Sequence, residues 1–275
     1  MTEPTPASGT RTARRAAARK KRRNIIIAVV AVLLLLAVGG GIVVFSGGGE
    51  EQVAKAAPPA TTTAPTIPPT TTTTLPPAAE VATTKGTDVQ VFDAPNSSNV
   101  VTSLSAKTDY LAPRTLLVTE QQGDWLKALL PMRPNQSTGW IRTSDVTVSQ
   151  NPYKITVNLA NHELVFTKDG QEILRTGIVA GSPRTPTPLG TYYITDPVDL
   201  RTRPGGAYGA YALGLSGYSE VLYEFNGGPG QIAIHGTNNP ELVGQDVSNG
   251  CIRIPNDAVV AIATQAPLGT PVVIS

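Results

Sequence analysis

Apolar residues occur in three regimes along this 275-residue chain. From Ile25 to Phe45 they form an uncharged block, a run of Ile, Ala, Val and Leu that continues through three glycines. At a rise of about 1.5 Å per residue, a helix of this length reaches roughly 31 Å, which matches the hydrocarbon core of a bilayer. The block predicts one transmembrane helix over 24–45. From Ser46 to Glu80 the apolar signal disappears, and Gly47-Gly48-Gly49 leads into Thr, Pro and Ala tracts such as Thr70-Thr71-Thr72-Thr73-Thr74. Such a composition favours extended, polyproline-like chain, so 46–80 reads as a semi-rigid stalk of up to about 3.1 Å per residue.

From Val81 onward short alternating runs take over. Val89-Gln90-Val91-Phe92 precedes Ala94-Pro95-Asn96, Thr115 to Val118 precedes Gln122-Gly123-Asp124, and Trp125 to Leu129 and Gly139-Trp140-Ile141 follow. Alternation bounded by turn residues is the pattern of half-buried strands. Five or six of them in about 65 residues suit a small β-barrel, with Trp125 and Trp140 expected in its core. After Asn151 the runs lengthen: Tyr153 to Leu159 and Leu164 to Phe166 flank Ala160-Asn161-His162, and Lys168-Asp169-Gly170 is a hairpin turn before Ile173-Leu174. A short helix is predicted over Asn256 to Gln265, with Asp257 in its first turn; Pro267 and Gly269 end it before a last strand, Pro271 to Ile274. The predicted fold is mainly β.

Charge sets the topology. Residues 1–23 carry eight Arg or Lys against the single acid Glu3. Positive charge before an apolar span holds that flank in the cytoplasm, so the chain after Phe45 is expected outside it. A cleaved signal peptide is the rival reading, with Ala54-Lys55-Ala56 as an A-x-A site. The apolar block is longer than a signal core of about 7 to 15 residues, and Glu50 and Glu51 stand before the cut, so an anchor is preferred. The formal charge of +2 belongs to the whole chain; without the tail, fourteen bases face nineteen acids, a net −5. That balance offers no basic face to nucleic acid.

Cys251, the only cysteine, stands in Ser248-Asn249-Gly250-Cys251-Ile252-Arg253, sixteen residues after His235, one of two histidines. A lone thiol outside the cytoplasm has no internal disulfide partner, and a thiol with a neighbouring imidazole suggests a nucleophile and its base. A small buried hydrophobe is the other reading of a free cysteine. Gly250 lets the backbone turn sharply and expose the next residue, with amides free to face an oxyanion. His162 reads as a solvent-exposed turn residue. Two histidines, one cysteine and no clustered acids imply no metal site, and Gly205-Gly206 and Gly227-Gly228 lack the strand and helix that flank a phosphate loop. No cofactor is implied.

His235-Gly236-Thr237-Asn238-Asn239-Pro240, followed after a spacer by Ser248 to Arg253, resembles the signature of the L,D-transpeptidases, the YkuD-type catalytic domain. Thr187-Pro188-Leu189-Gly190-Thr191-Tyr192 resembles that family's upstream Thr-Pro-x-Gly element, and Leu268-Gly269-Thr270-Pro271-Val272 its closing strand, so the resemblance covers 151 to 275. Gly123-Asp124-Trp125-Leu126-Lys127, Gly139-Trp140-Ile141 and Ser144-Asp145-Val146 resemble a bacterial SH3-like domain, a family whose members contact wall peptide or act as spacers. The expected organisation is a basic cytoplasmic tail (1–23), a transmembrane helix (24–45), a Thr/Pro-rich linker (46–80), an SH3-like β-barrel (81–149) and a β-sandwich-like catalytic domain with a short helix (150–275). The protein is expected in the cell membrane, single-pass, with its catalytic domain facing the wall.

The resemblance implies transfer between peptidoglycan stem peptides. A free thiol with a pKa near 8.5 is only slightly ionised at neutral pH, so it needs His235 as general base. In the family the imidazole is oriented by the backbone carbonyl of the next residue, here Gly236. Cys251 would attack the diaminopimelate carbonyl of a donor tetrapeptide and expel D-alanine, with the Gly250 and Cys251 amides holding the oxyanion. An amine of a neighbouring stem would then resolve the thioester to a 3-3 cross-link. Ser248, Asn249, Thr237 and Arg253 are the expected substrate contacts; Arg253 would grip a carboxylate, and a salt bridge to a nearby acid is the alternative for it. Asn249 departs from the usual family histidine, which removes a titratable neighbour of the thiol. Resolution by water or by a protein amine at the same site, or a non-enzymatic wall-binding role, are the alternative functions.

Overall fold

The computed structural model describes residues 78–202 and 205–275. The basic tail, the span expected at 24–45 and nearly all of the stalk lie outside the described residues.

The first half is an antiparallel sheet of β1 (Ala79–Thr84), β2 (Val89–Phe92), β3 (Val100–Leu104), β4 (Thr115–Gln122), β5 (Trp125–Leu129), β6 (Thr138–Arg142) and β7 (Val146–Asn151). Their spatial order is β3-β2-β6-β5-β4-β1-β7. β1 starts at Ala79, two residues before the boundary read from composition, because Ala79 and Glu80 pair with Asn151 and Gln150 of β7. Val89, Val91, Leu116, Leu126, Ala128 and Ile141 are fully buried on one face. Phe92, Trp125 and Trp140 form a separate cluster, with the Phe92 and Trp125 rings edge to face at 5.1 Å.

The second half is an eight-stranded mixed sheet of β8 (Tyr153–Asn158), β9 (Glu163–Lys168), β10 (Gln171–Gly177), β12 (Gly190–Asp199), β13 (Tyr211–Tyr218), β14 (Gln231–His235), β16 (Ile252–Arg253) and β17 (Pro271–Ile274). It runs β10-β9-β8-β17-β12-β13-β14-β16, and a two-stranded parallel pair, β11 (Ala180–Gly181) with β15 (Asp246–Ser248), stands beside it. The predicted hairpin turn is present: Asp169 and Gly170 both take positive φ, 49° and 75°, as a tight two-residue connection demands. The one α-helix among the described residues, α1 (Asn256–Ala263), buries Ala258, Val259 and Ile262. Alternation supplies the rest of the core, Ile155 and Val157 from β8, Leu164 and Phe166 from β9, Ile232 and Ile234 from β14.

The two sheets share a core residue. Tyr193 of β12 is fully buried among the side chains of the first sheet, and its hydroxyl donates to the Leu129 carbonyl at 3.1 Å. Desolvation there holds the phenol far above its ordinary pKa, so it stays a neutral donor. Thr108 donates to Asp196 of the same strand, and Asn151 Nδ2 donates to Thr270 Oγ1 at 3.0 Å. Truncating Tyr193 to Ala should therefore loosen both sheets together, by about 3–5 kcal/mol. Urea unfolding followed by tryptophan fluorescence, which reports the first sheet, and by the amide exchange of β8 and β17 should shift by the same amount.

Candidate active site

Strand register creates the site. β14 and β16 pair in parallel, with Ile234 opposite Ile252 and His235 opposite Arg253. Since side chains alternate across a sheet, Ile232, Ile234, Ile252 and Ile254 all fall on the buried face and His235 and Arg253 on the other. Carried one residue upstream of β16, the same alternation puts Cys251 on the face of His235 and Arg253. A backbone hydrogen bond from Ala233, two residues before His235, reaches the thiol.

His235 is 3% exposed, and its Nδ1 lies 2.6 Å from the Gly236 carbonyl oxygen. A carbonyl only accepts, so Nδ1 carries the proton and Nε2 keeps its lone pair. The role expected of the Gly236 carbonyl thus has its geometry. Gly236 must be glycine, because a Cβ there would overlap Asn256 Oδ1. Asn256, first residue of α1, clamps this corner: its Nδ2 donates to the Thr237 carbonyl at 2.8 Å and its Oδ1 accepts from the Ala210 N–H at 2.9 Å. The Tyr208 ring covers the imidazole at 4.8 Å between centroids.

Charges at the site are set chiefly by burial. Desolvation, reinforced by the Arg253 guanidinium and opposed by backbone carbonyls at Gly236 and Tyr208, lowers the His235 pKa to about 4. Desolvation also raises the Cys251 thiol, against the Ala233 hydrogen bond and the Arg253 charge. At neutral pH both are therefore uncharged. Arg253 is half-buried, pairs with no carboxylate among the described residues, and has an Nε without a partner. The salt bridge considered for it from sequence is not formed among the described residues.

The turn bearing Cys251 is braced from beneath. Ser248 Oγ accepts from the Gly250 N–H at 3.1 Å and donates to the Cys251 carbonyl at 2.6 Å. Thr187 Oγ1 donates to the Gly250 carbonyl at 3.0 Å, while the Ser248 carbonyl accepts from the Ser182 N–H at 2.9 Å and from Thr185 Oγ1 at 3.0 Å. Gly250 has φ 106°, a conformation that an L side chain rarely adopts.

Several expected roles change in consequence. Ser248 and Thr237, expected against substrate, are buried, and their hydroxyls serve the backbone, Thr237 Oγ1 by accepting from the Asn239 N–H at 3.0 Å. The Gly250 N–H, expected to face an oxyanion, faces Ser248. Asn249 is exposed at the tip of the turn. His162 is no free turn residue: its Nε2 lies 2.9 Å from Asp246 Oδ1, in the strand leading to Ser248. Thr185, Thr187, Tyr208 and Asn256 were missed. Thr187 stood in a motif without an assigned task, and Asn256 was read only as the start of the predicted helix; nothing in the sequence marked Tyr208. Among the described residues, no group of three His, Cys, Asp or Glu side chains could hold a metal ion.

A thiol and a tautomer-fixed imidazole on one sheet face define a class, the cysteine acyl-transfer enzymes. Comparison with known proteins narrows it. Residues 152–274 match the sequence profile of the YkuD family, the L,D-transpeptidase catalytic domain. The chain is 36% identical over 124 residues to the Bacillus subtilis protein named L,D-transpeptidase YkuD, covering 45% of this chain and 66% of that one. It is 34% identical over 130 residues to L,D-transpeptidase YqjB of the same organism, covering 46% and 72%. A crystal structure of the Enterococcus faecium L,D-transpeptidase is similar at 25% identity over 46% of this chain and 50% of that one, with a TM-score of 0.36. The chain belongs to the L,D-transpeptidase family.

The His235 shift carries a sign. A histidine whose folded pKa, about 4, lies below its ordinary 6.5 is protonated first in the unfolded chain as pH falls. Its contribution to stability is complete above pH 6.5 and is lost toward pH 4. The loss amounts to about 3 kcal/mol. Urea midpoints at pH 7 and pH 4.5 should differ more in the native protein than in His235→Gln, which has no proton to gain at that position.

Proposed function

We propose that this protein is a membrane-anchored peptidoglycan L,D-transpeptidase that forms 3-3 cross-links through a thioester on Cys251. The observation that carries the reading is the His235 tautomer: with Nδ1–H held by the Gly236 carbonyl, Nε2 is the free base, and a free thiol shares its sheet face. As Sγ attacks the diaminopimelate carbonyl carbon, the thiol proton passes to Nε2. The oxyanion meets the Cys251 N–H, since Gly250's is engaged with Ser248. Collapse breaks the bond to D-alanine, and the imidazolium returns its proton to the leaving amine. The acceptor amine then loses its proton to His235, attacks the thioester and releases the thiolate, which is reprotonated. Arg253, unpaired and close enough to act on both members of the dyad, is the group to receive a stem-peptide carboxylate.

The finer fold reading belongs here as well. The closely spaced antiparallel strands of 79–151 support an SH3-like unit, and the large sheet with its helix supports the sandwich-like catalytic domain of the family. The uncharged block at 25–45 behind eight basic residues supports a single-pass anchor with its catalytic part on the wall side. Resolution of the same thioester by water or by a protein amine is the second reading.

Incubation with disaccharide tetrapeptide and mass spectrometry separates these outcomes: a cross-linked dimer is expected, tripeptide would indicate hydrolysis, and no product would overturn the enzymatic reading. Cys251→Ala should abolish product, and His235→Ala should lower kcat/KM by about 10²–10⁴-fold.

A further inference from the structure

We propose that Arg133, a residue of the first sheet unit, is a positioning residue for the reaction at Cys251, because it clips the 219–230 loop that supports the Tyr208 ring over His235. The inference rests on the reading of Cys251 and His235 as the reacting pair.

Arg133 follows β5 and reaches across to the second sheet. Its Nη1 donates to the Pro229 carbonyl at 2.9 Å, and its Nη2 to the carbonyls of Ser219 at 2.9 Å and Leu222 at 3.2 Å. Three acceptors from both ends of one loop thus converge on one guanidinium. Its Cζ also lies 4.8 Å from the ring centroid of Tyr218 and 4.9 Å from that of Tyr223. No carboxylate pairs with it among the described residues, so its charge serves the carbonyls. Charge-assisted bonds from a planar fork are the stronger kind, and a lysine cannot reproduce the fork or the stacking.

The rest of the 131–136 segment works alongside it. Asn135 pairs with Tyr218 in both directions, Nδ2 donating to its carbonyl at 2.8 Å and Oδ1 accepting its N–H at 2.9 Å, as a neighbouring strand would. The Tyr218 hydroxyl donates to the Pro131 carbonyl at 3.1 Å. The end of β13, from which the loop departs, is therefore set by the first unit.

The loop transmits that position. Its base is closed by the Ser219 N–H donating to the Gly230 carbonyl at 2.8 Å. Its tip is a two-residue hairpin in which Phe225 and Gly228 exchange N–H to carbonyl bonds of 2.9 Å, and Asn226 and Gly227 both take positive φ, 50° and 76°. The Asn226 side chain at this tip acts on the Tyr208 phenol, opposing the rise that burial gives its pKa. Tyr208 in turn lies over His235 and within the electrostatic reach of Cys251 and Arg253. Hydrogen bonds carry the path from Arg133 through the loop, the Asn226 side chain joins it to Tyr208, and a ring contact joins Tyr208 to the imidazole.

The test uses the full chain with Arg133→Ala and Arg133→Lys. Hydrogen exchange should quicken about tenfold or more in 219–230 and 205–208 of Arg133→Ala, with the protection of β14 and α1 retained. In the cross-linking assay kcat/KM should fall about tenfold or more, mainly through KM, with partial recovery in Arg133→Lys. Alkylation of Cys251 by iodoacetamide should accelerate about threefold or more as the ring cover loosens. Unchanged exchange in 219–230, protection lost evenly over both sheets, or unchanged kcat/KM despite faster exchange would overturn the inference. If the native protein forms no product, the function reading fails; exchange and alkylation still decide on Arg133, and unaltered alkylation rejects its role.

Discussion

The short hydrogen bond from His235 Nδ1 to the Gly236 carbonyl is the constraint on which the rest of the site depends. It assigns the ring its tautomer without a carboxylate, and so leaves the site with no fixed negative charge at that position. A peptide carbonyl can do this only if the chain bends back on its own histidine, and that bend brings Gly236 against Asn256 and the backbone at 209–210, where no side chain fits. Asn256 ties both segments together, so the start of α1 holds the backbone that orients His235.

Around that bond the protein divides its work between rigid and adjustable parts. His235 comes from β14, whose Ile232 and Ile234 are buried in the core on the opposite face, which leaves the imidazole little freedom to move. Cys251 is held by a turn that Thr185, Thr187 and Ser248 brace through their hydroxyls, an arrangement that fixes the thiol without crowding it. The cover over the dyad is different: it is a loop and a ring, kept in place by contacts that originate in the other sheet. Tyr193 and Arg133 together make the first unit a structural partner of the active site, beyond any role as a spacer.

How much of this could be read from the sequence follows from the range of the interactions. Short apolar runs bounded by turn residues located β2, β5 and β17 at their observed limits; Gln90 and Lys127 mark the less buried positions of β2 and β5, and β17 is buried at all but Val273. They missed β3, whose Val100 and Val101 are both exposed, so that its apolar residues do not mark a buried face. They also gave no strand at β7, β12, β13 or β14, nor at β15 and β16, two or three residues long, which exist only because distant strands offer them partners. His235, Gly236 and Cys251 were legible because local chemistry and spacing advertise them. Tyr208, Asn256 and Arg133 were not, since their roles arise from contacts between segments far apart in the chain. Ser248 and Thr237 were legible as important residues but not as structural ones, because a hydroxyl beside a nucleophile looks the same in sequence whether it faces substrate or backbone.

The electrostatics then explain why so enclosed a thiol need not be a thiolate at rest. Burial disfavours charge on Cys251 and on His235 alike, so an ion pair between them would sacrifice solvation twice and gain one contact. A neutral pair avoids that penalty and also protects the thiol, whose oxidation begins from the thiolate. Proton transfer becomes favourable only when attack on a carbonyl moves the negative charge from sulfur to an oxyanion that a backbone N–H can hold. Arg253 biases the balance in the same direction, because its positive charge opposes an imidazolium at His235.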